Sequence, residues 1–542
     1  MNEWLIRNAR LARERVDACA RSLIVTGGPR EAMFWKAMLP SGSTRNGQEQ
    51  NSSPLVVSEH GRKGNFFGTL QAYSHAIVEP SAADVDDVDQ GIEQIVMFIG
   101  SGTRLSPYTQ ALGNMKSAFP LPDADSGLRS YTVGEAAIRS TAACMESLRH
   151  GGFDGLVVRW GDEILIPSTS LSSSPRQYSD VDVVRFGWRI EPSEFLADQK
   201  EWLVVDAASG VVLRELSRQS LSSLHNKLAE VGSPGETITY VNLGSFAASN
   251  TFLRELSSVF RDKLYDDRAA ANWNPYFWVA FQCSSLEDWE SFGKEEEAAS
   301  RSGFRELNDS VPDFFGLVQK AKRNLTDRLG RELRVGILDF GEPYWLDAGN
   351  HQSLRSAFMD LFSDTTEGET LRAFLGLPDS LASGGSFIKD CRIAPGTQID
   401  GSIVIGAEIR DPESVVDGAL VLRGSYGRLR IHKGGIAIWS AADELSIEGP
   451  NGTAFRFSGD GAVSGHSSVS TLISESGAIP MRYDDAIGTI DSDAYSRIVA
   501  DNPMSFRDAS ERMASVDPLW LHKAWEQTMS RTADADSDAP VV

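Results

Sequence analysis

Ile393, Ile399 and Ile405 stand six residues apart in the stretch IAPGTQIDGSIVIGAEIR, with small and turn-forming residues between them. A six-residue apolar period is the mark of a left-handed parallel β-helix, in which each hexad supplies one face. Val415-Val416 and the VLRGSYG stretch read as further, looser rungs. We therefore expect a left-handed β-helix domain over residues 376–475.

The chain before it follows a different pattern. Ser22–Thr26, Leu55–Ser58, Ile95–Ile99 and Phe153–Trp160 are apolar runs of strand length, while residues 1–22, the stretch after Pro29 and residues 134–150 read as helices. Strands alternating with helices argue an α/β fold, with helices on both faces of a sheet. Ligands of such sheets sit at the carboxyl ends of the strands, where Gly100–Arg104 and Asp162 fall. Residues 1–375 are expected to form this domain, with 284–335 as a solvated, charge-rich helical insertion. Polar residues 40–54 and acidic residues 80–91 read as loops. Trp273, Tyr276, Phe277 and Trp278 read as core. Residues 476–530 are expected to be a C-terminal helical segment and 531–542 a disordered tail.

Composition narrows the function. The 542 residues carry a formal net charge of −23, which repels nucleic acid. No apolar run reaches the roughly 18 residues of a membrane span. The four cysteines are far apart and form no CxxC pair, so neither a zinc site nor a disulfide framework is expected. The amino-terminal stretch has charges throughout and does not read as a secretory signal. A cytoplasmic location is the expectation.

Local positive charge in an acidic chain then matters. Gly100 to Pro122 reads GSGTRLSPYTQALGNMKSAFPLP and follows the apolar run ending at Ile99. A glycine turn after a strand leaves backbone N–H groups free for phosphate, and Arg104 and Lys116 add charge to it. The stretch resembles the GGxGTRLxPxT…K signature of sugar-1-phosphate nucleotidylyltransferases, and ALGNMKSAFPLP is similar to the LGK…PLP stretch of fucose-1-phosphate guanylyltransferases. Ile99 stands in place of the first glycine, and Met115-Lys116 in place of Pro-Lys.

The resemblance extends to two carboxylates. Asp162 in RWGDEILIPS resembles the Gly-Asp aspartate of that family, and YWLDAGNHQSL, with Asp347, resembles the WLDTGTHxSL segment of thymidylyltransferases. It implies Mg²⁺ held by Asp162 and Asp347, an ion that needs only one or two carboxylates because it keeps waters. It implies that Gly100, Ser101, Gly102 and Thr103 bind the nucleotide, that Arg104 holds the β- and γ-phosphates, and that Lys116 meets the α-phosphate or the sugar phosphate. Gly68 and Thr69, in GTLQA, would form the base-reading loop. Arg218 would stand in for the lysine of the family's Glu-Lys-Pro, which this chain lacks, and Asn242 and Gly244 would form the strand-end Asn-x-Gly that touches sugar hydroxyls.

The implied fold is a Rossmann-like mixed sheet, with its strand order permuted because Thr26 and Gly68–Ala72 precede GSGTRL. The implied activity joins an NTP, GTP being favoured, to a sugar 1-phosphate, in a homo-oligomer. Two other readings stay open here. One is a non-catalytic nucleotide-sugar-binding homologue with a regulatory or scaffolding role. The other is a β-helix acyltransferase, for which His432 and His466 are available.

Overall fold

The computed structural model describes residues 3–39, 43–45, 48–50, 53–78, 91–100, 102–125, 131–232, 235–475 and 477–531. Ser101, the acidic stretch at 80–90 and the tail from 532 lie outside these described residues. The protein is a mixed α/β structure with parallel and antiparallel pairing.

The sheet that carries the glycine motif has nine strands among the described residues. Leu55–Ser58, Ser22–Thr26, Gln94–Phe98 and Gly155–Trp160 lie side by side in that order, all parallel. Every residue of Ser22–Thr26 and Gln94–Phe98 is buried, which explains why these strands read as unbroken apolar runs. Ile24, Val96 and Phe98 face one layer, covered by helices Glu3–Glu14, Pro29–Met38 and Val133–Ser140. Leu23, Val25, Ile95 and Met97 face the other, covered by helices Gly64–Tyr73, Asn250–Val259 and Phe314–Leu329. Two strands from the first 60 residues, Ser22–Thr26 and Leu55–Ser58, thus join the same sheet as the glycine motif.

Beyond Gly155–Trp160 the sheet turns antiparallel. Thr237–Ser249 pairs with Gly155–Trp160, with Val183–Arg189 and with Trp202–Asp206. Trp202–Asp206 continues into a hairpin with Val212–Leu216, and Val335–Asp339 lies parallel to Val183–Arg189.

Three expectations for this α/β part change. Residues 284–335 form helices Leu286–Ala298, Gly303–Ser310 and Phe314–Leu329, whose Trp289, Phe304, Leu307, Phe314 and Val318 are buried in the second layer. One face of this segment is core, so it is not a solvated insertion. The expected single helix at 134–150 breaks at Thr141 into Val133–Ser140 and Ala142–His150. Gly68 and Thr69 lie inside the helix Gly64–Tyr73, not in a loop. Trp273, Phe277 and Trp278 are core, as expected.

From Phe387 the chain returns to the same columns every 15 to 17 residues. One column runs Phe387, Ile403, Leu420, Ile436, Thr453 and Ser468, all in parallel register. Ile393, Ile409, Tyr426 and Ala442 form a second column, and Ile399, Val416, Ile431, Ile447 and Val463 a third. The isoleucines of the six-residue period therefore fall on separate strands, with Ile405 on the strand of the first column. Ile405, Leu422 and Ile438 turn outward and are buried against the α/β part, where Phe455 stacks on Phe119 at 4.7 Å.

The stack ends in an antiparallel pair, Ser467–Ser474 with Gly477–Asp484. The segment expected to be helical from 476 thus opens with a strand, and its helices are Ser492–Ser496, Phe506–Ala514 and Pro518–Arg531. These return to the amino-terminal part, with His522 against Phe34 and Trp525 buried. Among the described residues no helix is long and apolar enough to cross a membrane.

Candidate active site

The glycine turn after Gln94–Phe98 takes a backbone path that favours glycine, with φ of 95° at Gly100 and 57° at Gly102. A Cβ on Gly102 would lie 2.7 Å from Thr109 Cγ2 and 3.0 Å from Lys116 Cβ, so the turn packs directly on the lysine. The loop folds back because the Thr109 hydroxyl donates to Gly102 O at 3.2 Å and Asn114 N donates to Thr109 O at 2.7 Å. Lys116 is thereby laid along the turn, and its Nζ donates to Asp162 Oδ2 at 2.5 Å.

Asp162 follows the neighbouring strand, in a turn held by Gly161 N donating to Met97 O at 3.0 Å. A short antiparallel pair, Glu163–Ile166 with Tyr344–Asp347, sets Asp347 opposite Glu163 across 184 positions of chain. Ala348 N donates to Asp162 O at 2.9 Å, which locks the two segments together. Asp347 accepts from Gly349 N at 2.8 Å, and the Arg104 guanidinium stands 3.9 Å from its other oxygen.

Negative charge is crowded here. Burial foremost, and then Asp162, raises the Asp347 carboxyl above the usual carboxylate range, against the pull of Arg104 and Lys116. Burial, with Asp162 next, pushes Glu163 up to about 8. Glu163 Oε2 is buried with no hydrogen-bond partner among the described residues.

A cavity of about 1010 Å³ opens over these groups, and Gly100, Arg104, Lys116, Asp162 and Asp347 all line it. Five of the residues singled out in the sequence therefore meet in one place. Gly102 caps, and Thr103 begins, the short helical turn Thr103–Leu105 that follows the glycine turn. Gly68 and Thr69 are placed elsewhere: both are buried, and the Thr69 hydroxyl donates to Asn65 O within its own helix. That part of the wall is formed by the helix start, Gly64 and Asn65.

The residues expected to meet a sugar gather in a second polar cluster. Asn242 donates to Glu201 and Glu215, each at 3.2 Å, and its Oδ1 accepts from Gly244 N at 3.0 Å. Asn242 lies mid-strand, not at a strand end, because the strand runs on to Ser249 past a left-handed residue at Gly244. Arg218 stands 4.0 Å from Glu201 and does not line the large cavity. The two regions touch at Trp160, which lines the cavity and whose Nε1 would lie 2.9 Å from a Cβ on Gly244.

Among the described residues no group of three or more His, Cys, Asp or Glu side chains converges as a metal site. The donors present nevertheless suit Mg²⁺, which takes one or two carboxylates and fills the rest of its shell with water and phosphate oxygen. The unpartnered Glu163 oxygen and the raised Asp347 carboxyl mark a spot where a cation relieves repulsion. Sequence reading passed over Glu163, although it adjoins Asp162, and over Arg30 and Arg62, which line the cavity from the segments that follow the strands Ser22–Thr26 and Leu55–Ser58. No protein-family profile matches the chain, and no curated protein matches it either.

Proposed function

We propose that the protein is an Mg²⁺-dependent sugar-1-phosphate nucleotidylyltransferase, giving NDP-sugar and pyrophosphate from an NTP and a sugar 1-phosphate. The observation that carries this reading is the convergence of Gly100, Arg104, Lys116, Asp162 and Asp347 on one cavity. In the reaction a phosphate oxygen of the sugar 1-phosphate attacks the α-phosphorus in line. The bond from that phosphorus to the bridging β-oxygen breaks, and pyrophosphate leaves with its electron pair.

Catalysis of such a transfer is mainly positioning and charge stabilisation. Backbone N–H groups of the glycine turn cradle the phosphates. Arg104 takes the departing β- and γ-oxygens through its forked guanidinium. Lys116 neutralises charge at the α-phosphate, and the Asp162 carboxylate holds the lysine in line. Mg²⁺ on Asp162 and Asp347 would supply further neutralisation of the phosphate oxygens.

The fold fits the same reading. The motif strand lies inside the sheet with Ser22–Thr26 and Leu55–Ser58 beyond it, which we read as a permuted Rossmann-like nucleotidyltransferase sheet. The column spacing of the carboxyl-terminal stack fits a left-handed β-helix whose long face is covered by the α/β part.

The test is pyrophosphate release from each NTP in turn with a panel of sugar 1-phosphates. Release is expected with at least one pair, GTP first. Silence with every pair, alongside measurable binding of a nucleotide sugar, would leave a non-catalytic binding protein instead.

A further inference from the structure

Ser22–Thr26 and Gln94–Phe98 are neighbours in exact parallel register, with Thr26 opposite Phe98. The residues that leave them, Gly27–Gly28 and Ile99–Gly100, therefore emerge side by side at the carboxyl ends of the strands, about 5 Å apart. Arg30 comes just after the first of these and lines the cavity with Arg104 and Lys116. It follows Pro29 at the start of the helix Pro29–Met38.

Three facts separate Arg30 from an ordinary surface arginine. Acidic residues outnumber basic ones by 75 to 52 in this chain, yet among the described residues no carboxylate forms an ion pair with Arg30. The nearest carboxylate in sequence, Glu31, is turned back to accept from Gly27 N at 3.1 Å. The guanidinium is held by a backbone group 485 residues away, its Nη1 donating to Ser515 O at 2.6 Å. A guanidinium has five N–H donors, so among the described residues this solvent-exposed anchor leaves four of them free.

The Ser515 carbonyl is itself fixed. The helix Phe506–Ala514 ends just before it, and Asn114 and Ser510 exchange two hydrogen bonds, Nδ2 to Ser510 O and Ser510 Oγ to Asn114 Oδ1, each at 2.9 Å. Asn114 lies two residues before Lys116. One carboxyl-terminal segment thus ties the loop carrying Lys116 to the helix start carrying Arg30.

We propose that Arg30 is a second phosphate-binding arginine of this cavity, pinned by the Ser515 carbonyl, that binds the β- and γ-phosphates released as pyrophosphate. The inference rests on the nucleotidylyltransferase reading. A fork with four free donors and no counter-ion among the described residues is suited to a dianionic phosphate, and its anchor lies in the carboxyl-terminal segment that also lines the cavity.

The test uses the full chain and inorganic pyrophosphate with MgCl₂, titrated calorimetrically at several salt concentrations. Arg30→Ala should weaken pyrophosphate binding about 10- to 100-fold, the size expected for a charge-assisted hydrogen-bond pair. It should also flatten the salt dependence, because one ionic contact is gone. Arg30→Gln keeps an N–H for Ser515 O without the charge, and should show the same loss even if the alanine variant folds poorly. Binding within twofold of the parent in Arg30→Gln, or an unchanged salt slope, would overturn the assignment. A parent protein that binds neither pyrophosphate nor any NTP would overturn the nucleotidylyltransferase reading, and this assignment with it.

Discussion

Gly102→Ala isolates the link between the glycine turn and Lys116. At φ of 57° an alanine is held in the left-handed region, which destabilises it by about 1 kcal/mol relative to glycine. The new methyl would also stand 2.7 Å from Thr109 Cγ2 and 3.0 Å from Lys116 Cβ. Carbon pairs prefer roughly 3.5 to 4.0 Å, so both neighbours must retreat by about 0.5 to 1 Å. Overpacking of this kind adds about 1–3 kcal/mol, for a total loss of about 2–4 kcal/mol in denaturant unfolding. Turnover suffers separately. Lys116 Nζ reaches Asp162 at 2.5 Å, and a displacement near 1 Å in such a site lowers rate about a hundredfold. Thr109→Ser deletes Cγ2 and keeps the hydroxyl that bonds Gly102 O. The double variant should therefore regain part of the stability while turnover stays low, since the contact with Lys116 remains. A Gly102→Ala protein of parental stability and rate, or a double variant with no recovery, would refute this account of the turn.

Asp162→Asn and Asp347→Asn should each abolish Mg²⁺-dependent pyrophosphate release while the thermal midpoint stays within a few degrees of the parent; full activity in either would remove that residue from the site. Burial lowers His351 and His522 to about 3 in the folded protein, well under their ordinary 6.5. A depressed folded value means the stabilising share is complete above the unfolded value and is lost as pH falls toward the folded one. Between pH 7 and 5 each histidine should remove about 2 kcal/mol of stability, read as a falling denaturant midpoint. His351→Gln and His522→Gln should each flatten that slope; an unchanged slope would show that neither histidine governs it.

How far the sequence carried depended on where each signal is written. Ser22–Thr26 matched its expected bounds, and the motif strand fell one residue from its expected start, because strands buried on both faces leave unbroken apolar runs. Gly68 and Thr69 misled for the same kind of reason. The helix GNFFGTLQAY is buried almost all round, so it lacks the polar stripe that marks a surface helix, and its glycine reads as a loop. Asn242 looked terminal because Gly244 interrupts a 13-residue strand with a left-handed residue that pairing tolerates as a bulge. Arg104, Lys116, Asp162 and Asp347 were legible as chemistry, but the pairing of Asp347 with Glu163 is a long-range register that no local window contains. Arg30 carries no motif at all. Its place at the cavity depends on a carbonyl supplied by the last helices.

The shared core between the first and last parts of the chain bears on how the protein is made. One apolar cluster includes Leu5 and Ile24, Phe455 from the carboxyl-terminal stack, and Trp525 from the final helix. Phe34 meets His522, and Arg13 donates to the Phe374 carbonyl, so early helices lack their packing partners while they leave the ribosome. At about 5–20 residues per second, the interval between Phe34 and His522 is about half a minute to a minute and a half. Throughout it the nascent amino-terminal half displays unburied apolar faces. Its successful maturation therefore waits on synthesis of the helix Pro518–Arg531, with a standing demand on whatever shields those faces until that helix arrives.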